Sequence, residues 1–298
     1  MKKIVALTSD NRDLNFRQKL GYLEYCALIN KSYFSNYNVN FFFLKIENII
    51  NSNLISKKDC VSGYARKVLS PKAASWTKLL AIYSFFKSNY DYILYLDSDC
   101  IVNNHKIKPS FLIKNLHNKQ ALFYSDQPWN STLPNCGFIL MKNNNYNKIF
   151  IKNWWNTFSK KNLSHPYEQY WFQSFWKNNK KKVNKNFKLV NENICRLVSD
   201  KQYIFHMTSD FRNQNKNKNN FFFKECIHKN RIKFNNIRKA IKNSIIKINT
   251  NNIDKEISGR KFFLYDYIFI YLANNYLIIK NYLFIKPIIF IRSFKFAK

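Results

Sequence analysis

Glycine and proline are scarce in this sequence, with only 4 Gly and 6 Pro among 298 residues. This scarcity excludes a collagen-like chain and a glycine-rich disordered one, because both need far more of these residues. Hydrophobic residues make up 46% of the chain and aromatic residues 18%, which is enough to bury a sizeable core. We therefore expect a globular protein, built as one large domain or as a domain with an appendage.

A CxxC pair is also missing, and the six cysteines are irregularly spaced: Cys26, Cys60, Cys100, Cys136, Cys195 and Cys226. This pattern excludes the common zinc sites and a thioredoxin-like redox motif. Several of these cysteines lie in apolar runs, where a free cysteine behaves as a small hydrophobic side chain. The simplest expectation is a reducing compartment.

A signal peptide is not expected either. The first apolar run, Ile4–Leu7, is too short for the apolar centre of such a peptide, and the polar residues Thr8-Ser9-Asp10 follow it at once. We interpret the run as a first β-strand that ends in a polar loop. The prediction is a cytoplasmic protein, with peripheral attachment to the cytoplasmic membrane face as its expected setting.

Acidic residues are few: 17 Asp and Glu face 50 Lys and Arg, which gives a formal net charge of +33. One interpretation is codon drift, because Lys, Asn, Ile and Phe are over-used together. The other is a surface that favours polyanions such as anionic lipid, nucleotide phosphates or nucleic acid. A basic nucleic-acid-binding protein is therefore an alternative function. The lysines are dispersed, however, and no nucleic-acid-binding motif is present, which argues against nucleic acid as a partner.

The N-terminal two thirds of the chain alternate short apolar runs with longer segments of helical periodicity. This alternation predicts an α/β fold with a mostly parallel central sheet flanked by helices. The predicted strands are Ile4–Leu7, Phe41–Leu44, Tyr92–Leu96, Ala121–Tyr124, Gly137–Met141 and short pieces at 189–190 and 203–205. The predicted helices are Leu20–Tyr33, one that begins at Pro71, Tyr146–Phe158 and Pro166–Trp176.

The composition changes after residue 212. Residues 213–260 are rich in Asn and Lys with weak periodicity, which predicts a variable or partly ordered connection. Residues 261–298 are aliphatic and aromatic with interspersed Lys and Arg, and their polar breaks argue against a transmembrane span. Two interpretations of this last segment stay open: helices in the interface of an anionic membrane, or a helical pair packed on the domain 1–212.

Two carboxylates, Asp97 and Asp99, follow the predicted buried strand Tyr92–Leu96 with Ser98 between them. Ligands of open α/β sheets bind outside the carboxyl ends of the strands. In an extended segment, residues i and i+2 project to the same side, so the two carboxylates can converge. Carboxylate oxygens suit Mg²⁺ or Mn²⁺, whose remaining positions can go to substrate phosphates. The pattern predicts a metal site that stabilises a departing diphosphate.

Several segments, in order along the chain, resemble GT-A glycosyltransferases: Trp76–Ile82, Tyr90–Val102 with its Asp97-Ser98-Asp99, Asn135–Asn143, Trp154-Trp155 and Glu168-Gln169. The sequence is most similar to glycosyltransferase family 34, the galactosyl-, mannosyl- and xylosyltransferases of fungal and plant Golgi. The resemblance covers about residues 1–210. It implies a GT-A fold and transfer of a hexose or pentose from a UDP- or GDP-sugar, with retention of the anomeric configuration.

The resemblance also implies roles for single residues. It assigns Mn²⁺ (or Mg²⁺) to Asp97, Asp99 and His206. It assigns donor binding to Thr8, Lys78, Asp97, Ser98, Asn135 and Gly137. Catalysis falls to Glu168 and Gln169, where a carboxylate or amide beside the anomeric carbon would stabilise an oxocarbenium-like transition state. The implied acceptor is a glycan, a lipid-linked saccharide or a protein.

Each of these residues also has a structural interpretation. His206 can be a packing histidine, Lys78 a solvated helix lysine and Asn135 a turn residue. An acidic residue such as Glu168 is favoured in the first turn of a helix whatever its function. The family often has consecutive acids where this chain has Tyr167-Glu168-Gln169.

We expect a setting that differs from that of the Golgi enzymes, because we expect no anchor and stem like theirs. We expect a bacterial or viral enzyme that builds surface glycans at the cytoplasmic membrane face. A degenerate GT-A domain that serves as a binding scaffold is a further alternative. The presence of both Asp97 and Asp99 argues against that alternative.

Overall fold

A computed structural model describes residues 2–10, 12–16, 20–47, 71–126, 129–156, 168–190, 195–196, 203–207 and 216–249. The predicted C-terminal segment 261–298 lies outside these ranges. The division of the chain at residues 212 and 260 therefore stays a prediction.

Ten strands run through the described residues: β1 (Ile4–Asp10), β2 (Asn40–Glu47), β3 (Tyr92–Leu96), β4 (Cys100–Val102), β5 (Ala121–Asp126), β6 (Asn130–Lys142), β7 (Phe187–Val190), β8 (Cys195–Arg196), β9 (Ile204–His206) and β10 (Ile245–Asn249). Seven of them form a central sheet in the order β10-β2-β1-β3-β6-β5-β7. In this sheet β6 runs antiparallel to both of its neighbours, and every other pairing is parallel. Strands β4, β9 and β8 form a second, three-stranded sheet.

The helices of the described residues are α1 (Tyr22–Asn36), α2 (Pro71–Ser84), α3 (Ser110–Leu116), α4 (Asn145–Asn156), α5 (Glu168–Asn178), α6 (Lys180–Asn186), α7 (Lys216–Lys229) and α8 (Phe234–Lys242). A short 3₁₀ helix, Phe85–Lys87, follows α2. The predicted α/β fold with a mostly parallel central sheet flanked by helices is confirmed. No helix among the described residues is both long enough and apolar enough to cross a membrane.

Both faces of the central sheet are buried. Along β1, Val5 and Leu7 pack into the cluster that contains Trp76 and Trp155, whereas Ala6 packs into the cluster on the opposite face. Successive side chains of a strand point to opposite faces, so a strand covered on both sides needs a continuous apolar run. This requirement explains why the apolar runs predicted as strands do not alternate apolar with polar residues.

Strand β1 is longer than predicted. Thr8, Ser9 and Asp10, predicted as a loop, continue the parallel pairing with Phe43, Leu44 and Lys45 of β2. Hydrogen bonding to the neighbouring strand therefore outweighs the low strand preference of the polar residues. The consequence is that three polar side chains lie at the carboxyl end of β1, beside the carboxyl end of β3.

The Asn- and Lys-rich stretch also differs from its prediction. Residues 216–249 form α7, α8 and β10, and β10 pairs in parallel with β2 at the edge of the central sheet. Phe223, Cys226, Ile241 and Ile248 supply buried side chains between the polar residues. Because these apolar positions are widely separated among Asn and Lys residues, they give the sequence only a weak helical or strand periodicity.

The second sheet is fixed to α1 by one buried side chain. Asn30 donates from Nδ2 to the carbonyl oxygen of Cys100 at 2.8 Å, and its Oδ1 accepts from the amide of Val102 at 2.8 Å. Strand β4 pairs on its other edge with β9, so that Cys100 lies opposite His206. Asn30 therefore helps to position two predicted metal ligands: Asp99, just before β4, and His206, at the end of β9.

Replacing Asn30 with alanine is expected to lower the free energy of unfolding by roughly 2–6 kcal/mol. The substitution leaves two buried backbone groups without a partner, at about 1–3 kcal/mol each. Urea denaturation followed by circular dichroism measures the change. Asn115→Ala is the matched control, because its half-buried side chain makes a solvent-exposed hydrogen bond to the carbonyl oxygen of Phe111 within α3; we expect a change of about 0.5 kcal/mol or less. Equal effects of the two substitutions would contradict the assigned role of Asn30.

Candidate functional site

Asp97, Ser98 and Asp99 form the turn between β3 and β4. The amide of Asp97 donates to the carbonyl oxygen of Gly137 at 2.8 Å, and the amide of Cys100 donates to the carbonyl oxygen of Asp97 at 2.9 Å. These bonds hold the turn against β6. Ser98 lies within it, partly exposed. Both carboxylates are therefore at the carboxyl edge of the central sheet, where ligands of α/β proteins bind.

Lys78 of α2 joins the turn to α5. Its Nζ lies 2.9 Å from Oδ1 of Asp97 and 2.7 Å from Oε1 of Glu168, and it donates to the carbonyl oxygen of Cys136 at 3.2 Å. The side chain is only 4% exposed, so the interpretation as a solvated helix lysine is wrong. Burial alone would lower the pKa of Lys78, but the carboxylates of Asp97 and Glu168 outweigh it and raise the pKa well above its usual value.

The surroundings of Asp97 disfavour its negative charge. Burial raises the pKa of Asp97 above its usual value; the Lys78 ammonium opposes the increase, whereas the Asp99 carboxylate adds to it. Two carboxylates close together in a buried place repel each other. A divalent cation between Asp97 and Asp99 would relieve that repulsion, so the local charge fits the predicted metal.

His206, at the end of β9, lies against Asp99. Its Nε2 is 3.0 Å from Oδ1 of Asp99, and the amide of Met207 donates to the carbonyl oxygen of Asp99 at 2.9 Å. The ligand atoms of Asp99, Cys100 and His206 lie within 4.8 Å of one another, close enough to hold one metal ion. The Cys100 thiol instead donates to the carbonyl oxygen of Gly137 at 3.2 Å. Carboxylate oxygens are the ligands that Mn²⁺ and Mg²⁺ prefer. Asp97, the other predicted carboxylate ligand, is not part of this group.

Gly137 makes room for that histidine. A Cβ atom at this position would lie 2.5 Å from Cε1 of His206 and 2.9 Å from the hydroxyl oxygen of Tyr124. Any larger residue would displace one of the two rings. Gly137, predicted to bind the donor, thus also has a packing role next to a predicted metal ligand.

Asn135 lies within β6, not in a turn before it. Its Oδ1 accepts from the amide of Gly137 at 2.8 Å, and its Nδ2 donates to Oδ1 of Asp126 at 2.8 Å. Gln173 donates to the other oxygen of Asp126 at 3.0 Å. Asp126 and Gln173 were not among the predicted site residues, because neither lies in a motif and only the fold brings them to Asn135.

The predicted catalytic pair begins α5. Gln169 accepts from the amide of Cys136 at 3.0 Å, and the indole of Trp154 donates to the carbonyl oxygen of Glu168 at 3.0 Å. Glu168 is 3% exposed. Its Oε1 contacts Lys78, whereas its Oε2 is buried and has no hydrogen-bond partner among the described residues. Buried carboxylate oxygens are costly to leave unpaired, so Oε2 is a candidate to receive a ligand hydroxyl.

Thr8 of β1 has a similar unpaired group at the same edge of the sheet. It is 2% exposed, and its hydroxyl has no hydrogen-bond partner within the described part of the chain. Next to it, Ser9 hydrogen-bonds the hydroxyl of Tyr95 at 2.7 Å, and Asp10 pairs with Arg12 at 2.6 Å. Arg12 was not among the predicted site residues. The end of β1 is thus polar and buried, and the hydroxyl of Thr8 is its one described side-chain group without a hydrogen-bond partner.

Comparison with known proteins supplies a fold. No family model matches the sequence, and no curated protein matches it. A solved glycosyltransferase involved in the glycosylation of the major capsid of PBCV-1 is 15% identical over 72% of this chain and 98% of its own, with a TM-score of 0.50. Mouse xyloside xylosyltransferase 1 is 10% identical, with 70% and 98% coverage and a TM-score of 0.46. The galactosyltransferase LgtC is 11% identical, with 75% and 95% coverage and a TM-score of 0.39. The chain has the GT-A fold.

Replacing Lys78 with methionine is expected to lower the free energy of unfolding by about 3–5 kcal/mol, because it leaves buried carboxylates without their cation. Chemical denaturation measures the loss, and Lys114→Met, at an exposed position of α3, is the control. Adding Glu168→Gln to Lys78→Met should cost less than Glu168→Gln alone, since paired residues couple. Additive effects would contradict the ion pair.

Proposed function

We propose that this protein is a glycosyltransferase that uses a nucleoside-diphosphate sugar and a divalent cation, Mn²⁺ or Mg²⁺. The observation that carries the proposal is the meeting of Asp97, Asp99, His206, Lys78 and Glu168 at the carboxyl edge of a GT-A sheet. Asp97, Asp99 and His206 would hold the cation. When bound, the cation would act as a Lewis acid that stabilises the charge on the departing diphosphate.

The donor would lie along the carboxyl ends of β1 and β3 and the amino-terminal half of β6, which runs antiparallel to β3. The unpaired hydroxyl of Thr8 would receive a polar group of the nucleoside. Ser98, Asn135 and Gly137 line the same edge next to the metal site and would contact the ribose and the sugar. The ammonium of Lys78 is already shared between Asp97 and Glu168. Lys78 would therefore orient these two carboxylates and act on the donor through them.

Glu168 and Gln169 would act on the transferred sugar. Oε1 of Glu168 is paired with Lys78, while Oε2 has no protein partner among the described residues. Such a carboxylate can stabilise positive charge that develops at the anomeric carbon. The bond from the Cys136 amide orients Gln169 beside it. The resemblance to glycosyltransferase family 34 supports a hexose or pentose donor, retention, and a glycan, lipid-linked saccharide or protein acceptor.

Asp99→Ala is expected to reduce metal-dependent nucleotide release by about 100-fold or more, the scale found when one electrostatic group of a reaction centre is lost. Purified protein is incubated with a panel of UDP- and GDP-sugars, with Mn²⁺ or with EDTA, and free nucleotide is measured. Asp91→Ala is the matched control. Asp91 is an exposed carboxylate before the opposite end of β3, where it accepts from the amide of Lys3.

Three outcomes separate the candidate functions. Release that needs Mn²⁺ and is lost in Asp99→Ala supports a transferase. Binding of a nucleotide-sugar without any release supports a binding scaffold. Absence of binding to every nucleotide-sugar under either metal would overturn the proposal.

We also propose that residues 261–298 contact an anionic membrane at the cytoplasmic face. Their mixture of aromatic, aliphatic and basic residues supports this proposal, because Lys and Arg meet anionic headgroups while apolar side chains insert. Wild type is expected to float with phosphatidylserine liposomes, and a chain truncated after Ser258 is expected to float less. Equal flotation of the two proteins would contradict membrane contact through this segment.

A further inference from the structure

The ring of His206 is enclosed by two residues of the central sheet. Its Nδ1 hydrogen-bonds the hydroxyl of Tyr124, a fully buried residue of β5. The two rings meet edge to face, with centroids 6.0 Å apart and an angle of 86° between their planes. The ring also packs so closely on Gly137 that a Cβ atom there would collide with it.

An irregularity in the β5–β6 pairing makes this enclosure. Phe123 pairs with Ile139, but the next residue, Tyr124, pairs with Asn135. The shift leaves Cys136–Phe138 outside the β5–β6 ladder, and Gly137 lies in the middle of that stretch. Such irregularities re-aim side chains next to functional sites. Here the shift brings the Tyr124 hydroxyl and the Gly137 backbone to the same imidazole ring.

The other ring nitrogen faces a carboxylate. Nε2 lies 3.0 Å from Oδ1 of Asp99, and an ionised carboxylate only accepts hydrogen bonds, so the proton lies on Nε2. In a neutral imidazole Nδ1 then has a lone pair, and the Tyr124 hydroxyl donates to it. In this arrangement Nε2 cannot bind a metal ion, because its lone pair is replaced by a proton.

To ligate a metal through Nε2, neutral His206 must move its single N–H proton to Nδ1. The proton count of the ring is unchanged, and Oδ1 of Asp99 is released to act as a ligand. Nδ1–H must then find an acceptor in a buried place. The oxygen of the Tyr124 hydroxyl can accept there, because a hydroxyl group is both a donor and an acceptor.

We propose that Tyr124 is the positioning residue of the metal site: its hydroxyl donates to Nδ1 when His206 is bonded to Asp99 and accepts from Nδ1 when His206 holds a divalent cation. This inference rests on the metal site of the proposed function. Partners on the far nitrogen of a ligating histidine fix the tautomer and the orientation of the ring. Tyr124 would act on the cation through its hydrogen bond to His206.

The first test measures Mn²⁺ binding without any reaction. Free Mn²⁺ is followed by electron paramagnetic resonance, at a pH above the ordinary titration range of histidine. Tyr124→Phe keeps the ring and removes the hydroxyl, and its affinity for Mn²⁺ is expected to fall by about 10–100-fold. Tyr33→Phe is the matched control: it removes an equally buried hydroxyl, which donates to the carbonyl oxygen of Ile107 at 2.7 Å, and it should leave the affinity unchanged.

Wild-type affinity in Tyr124→Phe would overturn the inference and leave the proposed function standing. An equal loss in Tyr33→Phe would also overturn it, because the effect would then be a general one of a lost buried hydroxyl. Absence of Mn²⁺ binding by wild type would overturn the metal site of the proposed function and this inference with it.

A second test needs no substitution, so it decides the inference even where Tyr124→Phe does not fold. Long-range ¹H–¹⁵N NMR distinguishes the two tautomers of a histidine, and the chain has only five histidines. His206 is expected to carry its proton on Nε2 without metal and on Nδ1 with Mg²⁺. A proton that stays on Nε2 at saturating Mg²⁺ would overturn the inference.

Discussion

The candidate site depends on one buried cation. Lys78 is almost inaccessible to water, and its ammonium lies within 3 Å of carboxylates that come from two different elements, the β3–β4 turn and α5. Burying ions costs several kcal/mol each, and only close, well-oriented partners return that energy. The position of α2 against the sheet is therefore tied to both Asp97 and Glu168. A shift of any of the three elements would leave a charge unpaired inside the protein.

The neighbouring contacts follow from that constraint. Trp154 of α4 fixes the first residue of α5 through the Glu168 carbonyl oxygen, and Gln169 binds the amide of Cys136. The carbonyl oxygen of Cys136 in turn accepts from Lys78. Strand β6 and α5 thus contact the Lys78 ammonium directly, and α4 holds Glu168, one of the residues that contact it. A rigid shell of this kind holds reactive groups in place before a ligand arrives, which is how enzymes reduce the cost of reorganisation during a reaction.

The parts of this arrangement that could be predicted are those that depend on one short stretch of the sequence. Strand β3 has its predicted bounds because a strand buried on both faces needs a continuous apolar run, which is visible in the sequence. Asp97 and Asp99 follow from their place after that strand. The contact of Tyr124 with His206 could not be predicted, because it joins residues 82 positions apart through an irregular pairing. Asp126 and Gln173 were missed for the same reason.

The overall charge of the chain is a poor guide to this site. Acidic residues are scarce, yet Asp97 and Glu168 pair with Lys78, and Asp99 lies against His206, at one edge of the sheet. Three carboxylates and one ammonium at this edge leave an excess of negative charge that a divalent cation would balance. Dispersed surface lysines do not cancel this excess, since at physiological salt their fields decay over about 8 Å of water. Buried groups a few ångströms apart are screened far less. The local carboxylates therefore favour a cation at this site, whereas a positive surface favours the approach of anions.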